Sequence, residues 1–446
     1  MKKLLLFFVV IQLFVLFPTQ AKKELLQPGE VRPISGSLDE IPVFNSNFPE
    51  IVRSSGILLS TFPKEGRNYP DAHLDYEFNG RFDIFTHHIS RHSARTLFQA
   101  ILIGNASDKK VSIKNIQGLT YTSLPDSPFL DELEIYSGPG DRLTSEFLKG
   151  ENGKCFLNEL TLEPHEIKLL AVFSIRTKDY RPSHNGRSLL ARFKSDGPVH
   201  LANLAMFFTD DQIEKEAHLE QKKWVEMLNK EGLVIPREKP STKPFVPKDE
   251  FHYGRVGGVA IGSIWKAKLT DTDDNKLEIP KSGKAISFPM STVIYGEIGT
   301  GQIQSAKMES YYPDTAYEAH GNYGIHYDFE LPLFNSTDED KQVSLIFQTP
   351  IKERELSKDG LRFYKNPKFE PIWFRGTVKF SYEDEKGEKI ENFYHLIQRS
   401  GEISKKLETF KLKPKEVKNV EFELIYPPDA TPPQVLTVRT EEVFWD

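Results

Sequence analysis

The chain has 446 residues, with 58 Lys and Arg against 64 Asp and Glu and a formal net charge of −6. The acidity is mild and interspersed, which argues against nucleic acid, a partner that needs a basic stripe, and leaves no basic patch for a membrane surface. This length sets a prior of two or three domains and can bury a sufficient core without disulfides; Cys155 stands alone, so no intrachain disulfide can form.

Lys2 and Lys3 form a positive start, Leu4 to Phe17 is apolar apart from Gln12, Pro18 ends the run, and Thr19-Gln20-Ala21 puts small residues where a signal peptidase reads. The run is about fourteen residues long, short of the roughly 18 to 20 that a spanning helix needs. Residues 1–21 are therefore expected to be a signal peptide cleaved after Ala21, with no Cys there to carry a lipid. Nothing downstream is long and apolar enough to stop transfer, so the exported chain is expected to keep no transmembrane anchor.

Residues 22–208 are expected to hold an N-terminal segment and a first β-sandwich. Within them Asp83, His87, His88 and His92 form the densest candidate for a metal. Imidazole is the commonest side-chain metal ligand, and residues four apart, as His88 and His92 are, share a helical face. Ile89 stands where a zinc-protease motif needs Glu, and Arg91 and Arg95 add unhelpful positive charge. Histidines hydrogen-bonded within a loop are the plainer reading. Cys155 sits in an ordinary-looking loop, Gly153-Lys154-Cys155-Phe156.

Two marks recur in the same order in both halves of the chain. Asn105-Ala106-Ser107-Asp108 and Asn335-Ser336-Thr337-Asp338 each lie between two strand patterns; Leu162-Glu163-Pro164-His165-Glu166 and Leu412-Lys413-Pro414-Lys415-Glu416 each lead into another strand. Asn, Ser and Asp satisfy local backbone groups in turns, and Pro is harmless at a strand entry. The repeat predicts two antiparallel sandwiches of immunoglobulin-like kind.

Between them, residues 209–250 read as a helix and a connector. Thr209 to Gln212 fits a capping box, and Gln212 to Lys230 holds no Pro or Gly and only a thin apolar stripe, which predicts one helix on a surface or between domains. Leu233 to Pro247 carries four prolines among charges, the composition of an extended linker. Residues 251–446 are expected to form the second β-rich domain. Strict alternation at Tyr327, Phe329, Leu331 and Leu333, at Val378, Phe380 and Tyr382, and at Val420, Phe422, Leu424 and Tyr426 predicts strands with one buried face. Glu383 to Gly387 reads as the turn into a strand at Lys389 to Ile397.

The second candidate site is the stretch from Tyr311 to Tyr327, where Tyr311, Tyr312, Tyr317, His320, Asn322 and Tyr323 crowd together. Aromatic faces beside amide, imidazole and carboxylate groups suit a sugar, whose C–H face stacks while its hydroxyls find polar partners. The alternative is that the tyrosines pin corners, ring buried and hydroxyl bonded to backbone. Gly299-Thr300-Gly301 lacks the lysine and following helix of a phosphate loop, no nucleophile-elbow motif is present, and no cofactor is expected.

The stretches VFNSNFPEIVRSSGILLSTFP (43–63), GRFDIFTHHISR (80–91), GTGQIQSA (299–306), YPDTAYEAHGNYGIHY (312–327), FRGTV (374–378) and YPPDATPPQVLTV (426–438) resemble signature segments of a secreted cyanobacterial family known only as domain of unknown function 3370. The resemblance runs from about Val31 to Val438. It brings no activity, ligand or catalytic residue. It implies a Gram-negative-type envelope, and so a place in the periplasm, on the outer surface or in the medium. Two functional readings follow: a non-catalytic envelope or extracellular protein that binds another protein or a polysaccharide, or a secreted hydrolase whose histidines and carboxylates come from residues 71–92 and 311–328.

Overall fold

A computed structural model describes residues 23–124, 139–243, 246–271, 275–355, 360–428 and 430–442. The expected signal peptide, 1–21, lies outside them. The chain is mostly β, with several sheets and few helices.

Among the described residues, four sheets carry the fold. An eight-stranded sheet runs in the order Glu318–Ala319, Ala306–Tyr311, Val256–Ile261, Pro42–Ile51, Arg81–Ser90, Asn185–Ser195, Val111–Thr122, Glu159–Leu162. A four-stranded sheet, Gly56–Ser60, Val199–Phe208, Thr96–Asn105, Ile167–Ile175, shares one hydrophobic core with it, built from Phe44, Ile84, Ile101, Phe173, Leu189 and Leu201. A six-stranded sheet, Gly360–Tyr364, Glu24–Val31, Ala285–Met290, Gln434–Thr440, Lys341–Gln348, Glu408–Leu412, faces another formed by Ile264–Lys268, His326–Phe334, Val417–Ile425, Ile372–Glu383 and Lys389–Arg399, with the short strand Leu277–Glu278 also paired to His326–Phe334. Their core is a run of phenylalanines: Phe422 lies 5.9 Å from Phe329, 6.0 Å from Phe347 and 5.3 Å from Phe380 between ring centroids. A smaller cluster holds the two pairs of sheets together. Val43, Phe85 and Leu190 on one side meet Ile425 on the other, and the helix Pro139–Leu148 inserts Leu143 and Phe147 between them.

The alternating segments are the strands expected. Tyr327, Phe329, Leu331 and Leu333 are all fully buried, and so are Val378, Phe380, Val420, Phe422, Leu424 and Tyr426. The Glu383 to Gly387 turn is a hairpin in which the Asp384 carboxylate accepts from Lys386 N at 2.8 Å and Glu388 N at 2.9 Å. The two repeated marks match bond for bond. Asn105 Nδ2 donates to the carbonyls of Lys109, Leu162 and Glu163, and its Oδ1 accepts from Ser107 N and Oγ. Asn335 Nδ2 donates to Glu339, Leu412 and Lys413, and its Oδ1 accepts from Thr337 N and Oγ1. One amide thus ties the turn to the strand entry 57 residues on in one case and 77 in the other.

The structure departs from four expectations. The sheets are mixed rather than purely antiparallel: Glu24–Val31 runs parallel to Ala285–Met290, Pro42–Ile51 to Arg81–Ser90, and Ile264–Lys268 to His326–Phe334. Parallel neighbours cannot be joined by a tight hairpin, and these partners are distant in sequence. The chain was expected to divide at 209–250, but its halves interleave. The N-terminal strand Glu24–Val31 lies in a sheet of C-terminal strands, and Val256–Ile261 pairs with Pro42–Ile51 in the eight-stranded sheet. The start of the connector is clamped rather than free: Val234 is buried with its N–H on Ile57 O at 2.9 Å, and Arg237 pairs with Asp314. The expected single helix is broken into Asp210–Glu214, a 3-10 turn at Ala217–Leu219, and Gln221–Lys230. The capping box at Thr209 and Gln212 is present, but Glu216 turns left-handed at φ 54°. That kink lets Ala217, Trp224, Met227 and Leu228 share one apolar cluster, and Trp224 Nε1 donates to His218 O at 2.8 Å.

Candidate functional site

The three histidines singled out for a metal do not converge. His87 and His88 are neighbours in the strand Arg81–Ser90, so they project to opposite faces. His88 is fully buried; its Nε2 lies 3.0 Å from Ser46 Oγ and 3.1 Å from Asn203 Nδ2, and burial pushes its pKa down to about 3. His87 Nδ1 lies 2.8 Å from Ser188 Oγ on the other face. His92 falls beyond the strand end, where its Nδ1 accepts from Ala94 N and Arg95 N and its ring packs on Phe207. No group of three metal-ligating side chains forms among the described residues. Asp83 is buried and bridged to Arg81, Arg192 and Ser263, which is an internal ion network and not a cation site.

The six aromatic and polar residues of the second candidate divide by role. Tyr311 is 41% exposed and Tyr312 is 1% exposed. The Tyr312 hydroxyl accepts from Ser60 N at 3.0 Å and donates to Ala72 O at 2.8 Å, so it pins backbone inside the core. Asn322 is buried and left-handed at φ 50°, accepting from Ala306 N at 3.0 Å and donating to Tyr327 OH at 3.0 Å. The Tyr323 hydroxyl donates to Ala430 O at 2.9 Å. These three build corners. Tyr317 and His320 do something else.

His320 is 6% exposed and closed in by three rings, with centroids at 5.3 Å for Tyr317, 5.3 Å for Tyr253 and 5.9 Å for Phe251, all edge-on. Neither of its ring nitrogens has a hydrogen-bond partner among the described residues, and burial holds it neutral with a pKa down to about 4. Three further buried polar atoms are also unpartnered among the described residues: Tyr317 OH and Glu318 Oε2 beside His320, and Glu297 Oε2 on a carboxylate close enough to act on the Tyr253 hydroxyl. Glu318 Oε2 lies 3.7 Å from His320 Nδ1, too far for a hydrogen bond, and burial raises the carboxyl's pKa. Burial pushes the Tyr253 and Tyr317 hydroxyls up to about 12. It lowers Lys352 to about 8, with help from Lys248; the Lys352 ammonium lies 3.3 Å from Tyr253 OH. Each unpartnered buried polar group costs about 1–3 kcal/mol, and such groups are rare enough in folded proteins that a cluster of them calls for a partner.

Four separated stretches make this cluster: Phe251 and Tyr253 ahead of the strand Val256–Ile261, Tyr295 and Glu297 in the loop after Ala285–Met290, Tyr317 to His320 around the edge strand Glu318–Ala319, and Lys352 beyond Lys341–Gln348. Sequence reasoning singled out the stretch that holds Tyr317, Glu318 and His320 and missed the others, which carry no local spacing signal. The loop of Glu297 does carry a backbone mark: Tyr295 and Ile298 are left-handed at φ 63° and 47°. A β-branched residue there is an outlier, and such strain gathers at functional sites.

A family described as protein of unknown function (DUF3370) matches residues 29–440. No curated protein matches. Among solved structures, Lac15 from a marine microbial metagenome is 10% identical, covering 92% of this chain and 67% of that one, with a TM-score of 0.12. Fet3p, a multicopper oxidase that functions in iron import, is 9% identical, covering 79% and 53%, with a TM-score of 0.11. Pumpkin seed globulin is 7% identical, covering 89% and 87%, with a TM-score of 0.10. Scores this low carry no argument about this chain.

Proposed function

The chain belongs to this family of proteins of unknown function, and from that premise we propose that it is a non-catalytic exported protein, of the envelope or the extracellular space, that binds a glycan at the His320 cluster. The two pairs of facing sheets are read as two β-sandwich units of broadly immunoglobulin-like kind, a scaffold that presents loops without dictating chemistry. The observation that carries the reading is His320: a buried imidazole with both nitrogens unpartnered, walled by three aromatic rings, beside three more unpartnered polar atoms. Sugar recognition uses such a combination, apolar ring faces for C–H groups and fixed polar atoms for hydroxyls. Export rests on the signal-like residues 1–21, and no helix among the described residues is long and apolar enough to cross a membrane.

The hydrolase alternative draws its histidines and carboxylates from residues 71–92 and 311–328. The two stretches do touch, through Tyr312 OH on Ala72 O and through Arg192, which lies 3.5 Å from Asp83 Oδ2 and 3.3 Å from His326 Nδ1. The histidines singled out for it fit it less well: His88 and His92 take Ser46, Asn203, Arg95 and Phe207 as neighbours.

Thermal-shift measurements on the mature chain with soluble polysaccharides test the proposal, since a bound ligand raises the melting temperature. Tyr317→Phe, which removes one hydroxyl and keeps the ring, should abolish the shift while leaving the unliganded melting temperature near wild type. A shift that Tyr317→Phe leaves untouched would move the site elsewhere, and no shift with any polysaccharide would favour a protein partner.

A further inference from the structure

We propose that the ligand of this cluster is an uncharged, hydroxyl-rich sugar unit and that Glu297 is the residue that selects it; the inference rests on the glycan reading above. The first ground is the inventory of unpartnered atoms. Glu297 Oε2 and Glu318 Oε2 are acceptors when ionised, a neutral His320 offers one donor and one acceptor, and Tyr317 OH can donate once. Acceptors outnumber donors, so the cluster wants a ligand that brings hydrogens. Sugar hydroxyls do. The carboxylate of a uronate or the sulfate of a sulfate ester replaces a hydroxyl donor with acceptors alone, and brings negative charge toward two carboxyl groups.

The second ground is that the cationic places are taken. The Lys352 ammonium lies 5.4 Å from the centroid of the Tyr253 ring, and the Arg354 guanidinium lies 5.3 Å from that of Tyr295. Aromatic faces beside carboxylates attract cations, but here the chain supplies its own, and a cationic ligand would have to displace one of them against a like charge.

The third ground is how Glu297 is held. It is 8% exposed and sits between two left-handed residues across a turn closed by Gly296 N on Val293 O at 2.8 Å and Ile298 N on Glu353 O at 3.0 Å. Lys352 packs against the bare backbone of Gly296, where a Cβ would stand 2.4 Å from Lys352 Cε and would push the lysine aside. The strained turn therefore fixes where the carboxylate points. The cation paired with it is loosely held: the Arg354 side chain is 68% exposed and reaches Glu297 Oε1 only at 3.8 Å. A sugar hydroxyl can replace Arg354 at this carboxylate without disturbing the fold.

Affinity electrophoresis of the mature chain decides the matter, run at physiological salt in gels containing dextran, mannan, galactan or xyloglucan, and in parallel gels containing alginate or dextran sulfate. At least one neutral polymer should retard the protein and neither anionic polymer should. Glu297→Gln should weaken that retardation by about tenfold, the loss of one charge-assisted hydrogen bond. Arg354→Ala, an exposed change with little bearing on folding, should strengthen it; if Glu297→Gln does not fold, the Arg354→Ala arm carries the test, and unchanged retardation there overturns the role of Glu297. Retardation by alginate or dextran sulfate that equals the neutral polymers and ignores Glu297→Gln overturns the selectivity and leaves glycan binding standing. Retardation by none of the six overturns both.

Discussion

Tyr311 and Tyr312 are adjacent and identical, so mutating each in turn isolates what burial is worth. Tyr312 is 1% exposed, inside the core that Phe44, Leu59 and Val259 share, and its hydroxyl bonds Ser60 N and Ala72 O. Tyr312→Ala removes a buried aromatic side chain, worth about 3–5 kcal/mol in comparable deletions. It also leaves one backbone donor and one backbone acceptor without their partner, each worth about 1–3 kcal/mol if no water reaches it. Tyr312→Phe keeps the ring and exposes only the second cost. The ring does a further job: the Arg237 guanidinium lies 5.3 Å from its centroid and 5.4 Å from that of Phe48, and Arg237 pairs with Asp314. Losing Tyr312 should loosen the chain around Arg237 as well. Urea unfolding of the three variants should therefore rank Tyr312→Ala as the most destabilised, Tyr312→Phe intermediate at about 1–3 kcal/mol, and Tyr311→Ala within about 0.5 kcal/mol of wild type. Limited proteolysis of Tyr312→Ala should gain cleavage near Arg237. Equal losses for Tyr311→Ala and Tyr312→Ala would refute the placement of both rings.

Further outcomes follow from the same geometry. Asn105→Ala and Asn335→Ala each strip a buried amide that ties a turn to a distant strand entry, and each should cost about 2–3 kcal/mol in urea unfolding; a variant losing less than about 0.5 kcal/mol would show its amide to be dispensable. His88 is buried neutral with a pKa near 3, below its ordinary value of 6.5, so the unfolded chain takes up a proton that the folded one refuses between those values. Stability from this group is complete above pH 6.5 and falls as pH drops toward 3, by roughly 2 kcal/mol at pH 5. His73 and His320 act in the same direction, while the raised carboxyls of Asp83 and Glu318 oppose it. The melting temperature of His88→Gln should accordingly fall less than that of wild type between pH 7 and pH 5, and parallel curves would count against a neutral buried His88. Reductant should leave the melting temperature of the monomer unchanged, because Cys155 is unpaired and burial pushes its thiol up to about 11.

Much of the fold was legible in the sequence because its signals are local. Alternation at Tyr327 to Leu333 and at Val420 to Tyr426 states which face of each strand is buried, and a strand's side-chain period of two admits no other reading. The Asn105 and Asn335 turns were legible for the same reason: a short polar side chain next to its own backbone folds that backbone wherever it occurs. What local pattern cannot state is which strand lies beside which. Glu24–Val31 would satisfy its backbone equally well on many edges; only the shape of the finished core sets it between Ala285–Met290 and Gly360–Tyr364. The candidate site depends wholly on such decisions. His87 and His88 look like one cluster in sequence and are parted by the pleat of their strand, while Phe251, Glu297, His320 and Lys352 look unrelated and are brought together. Sequence spacing measures distance along the chain. A cluster drawn from four loops is a distance through space, and that is set only when the sheets beneath those loops have packed.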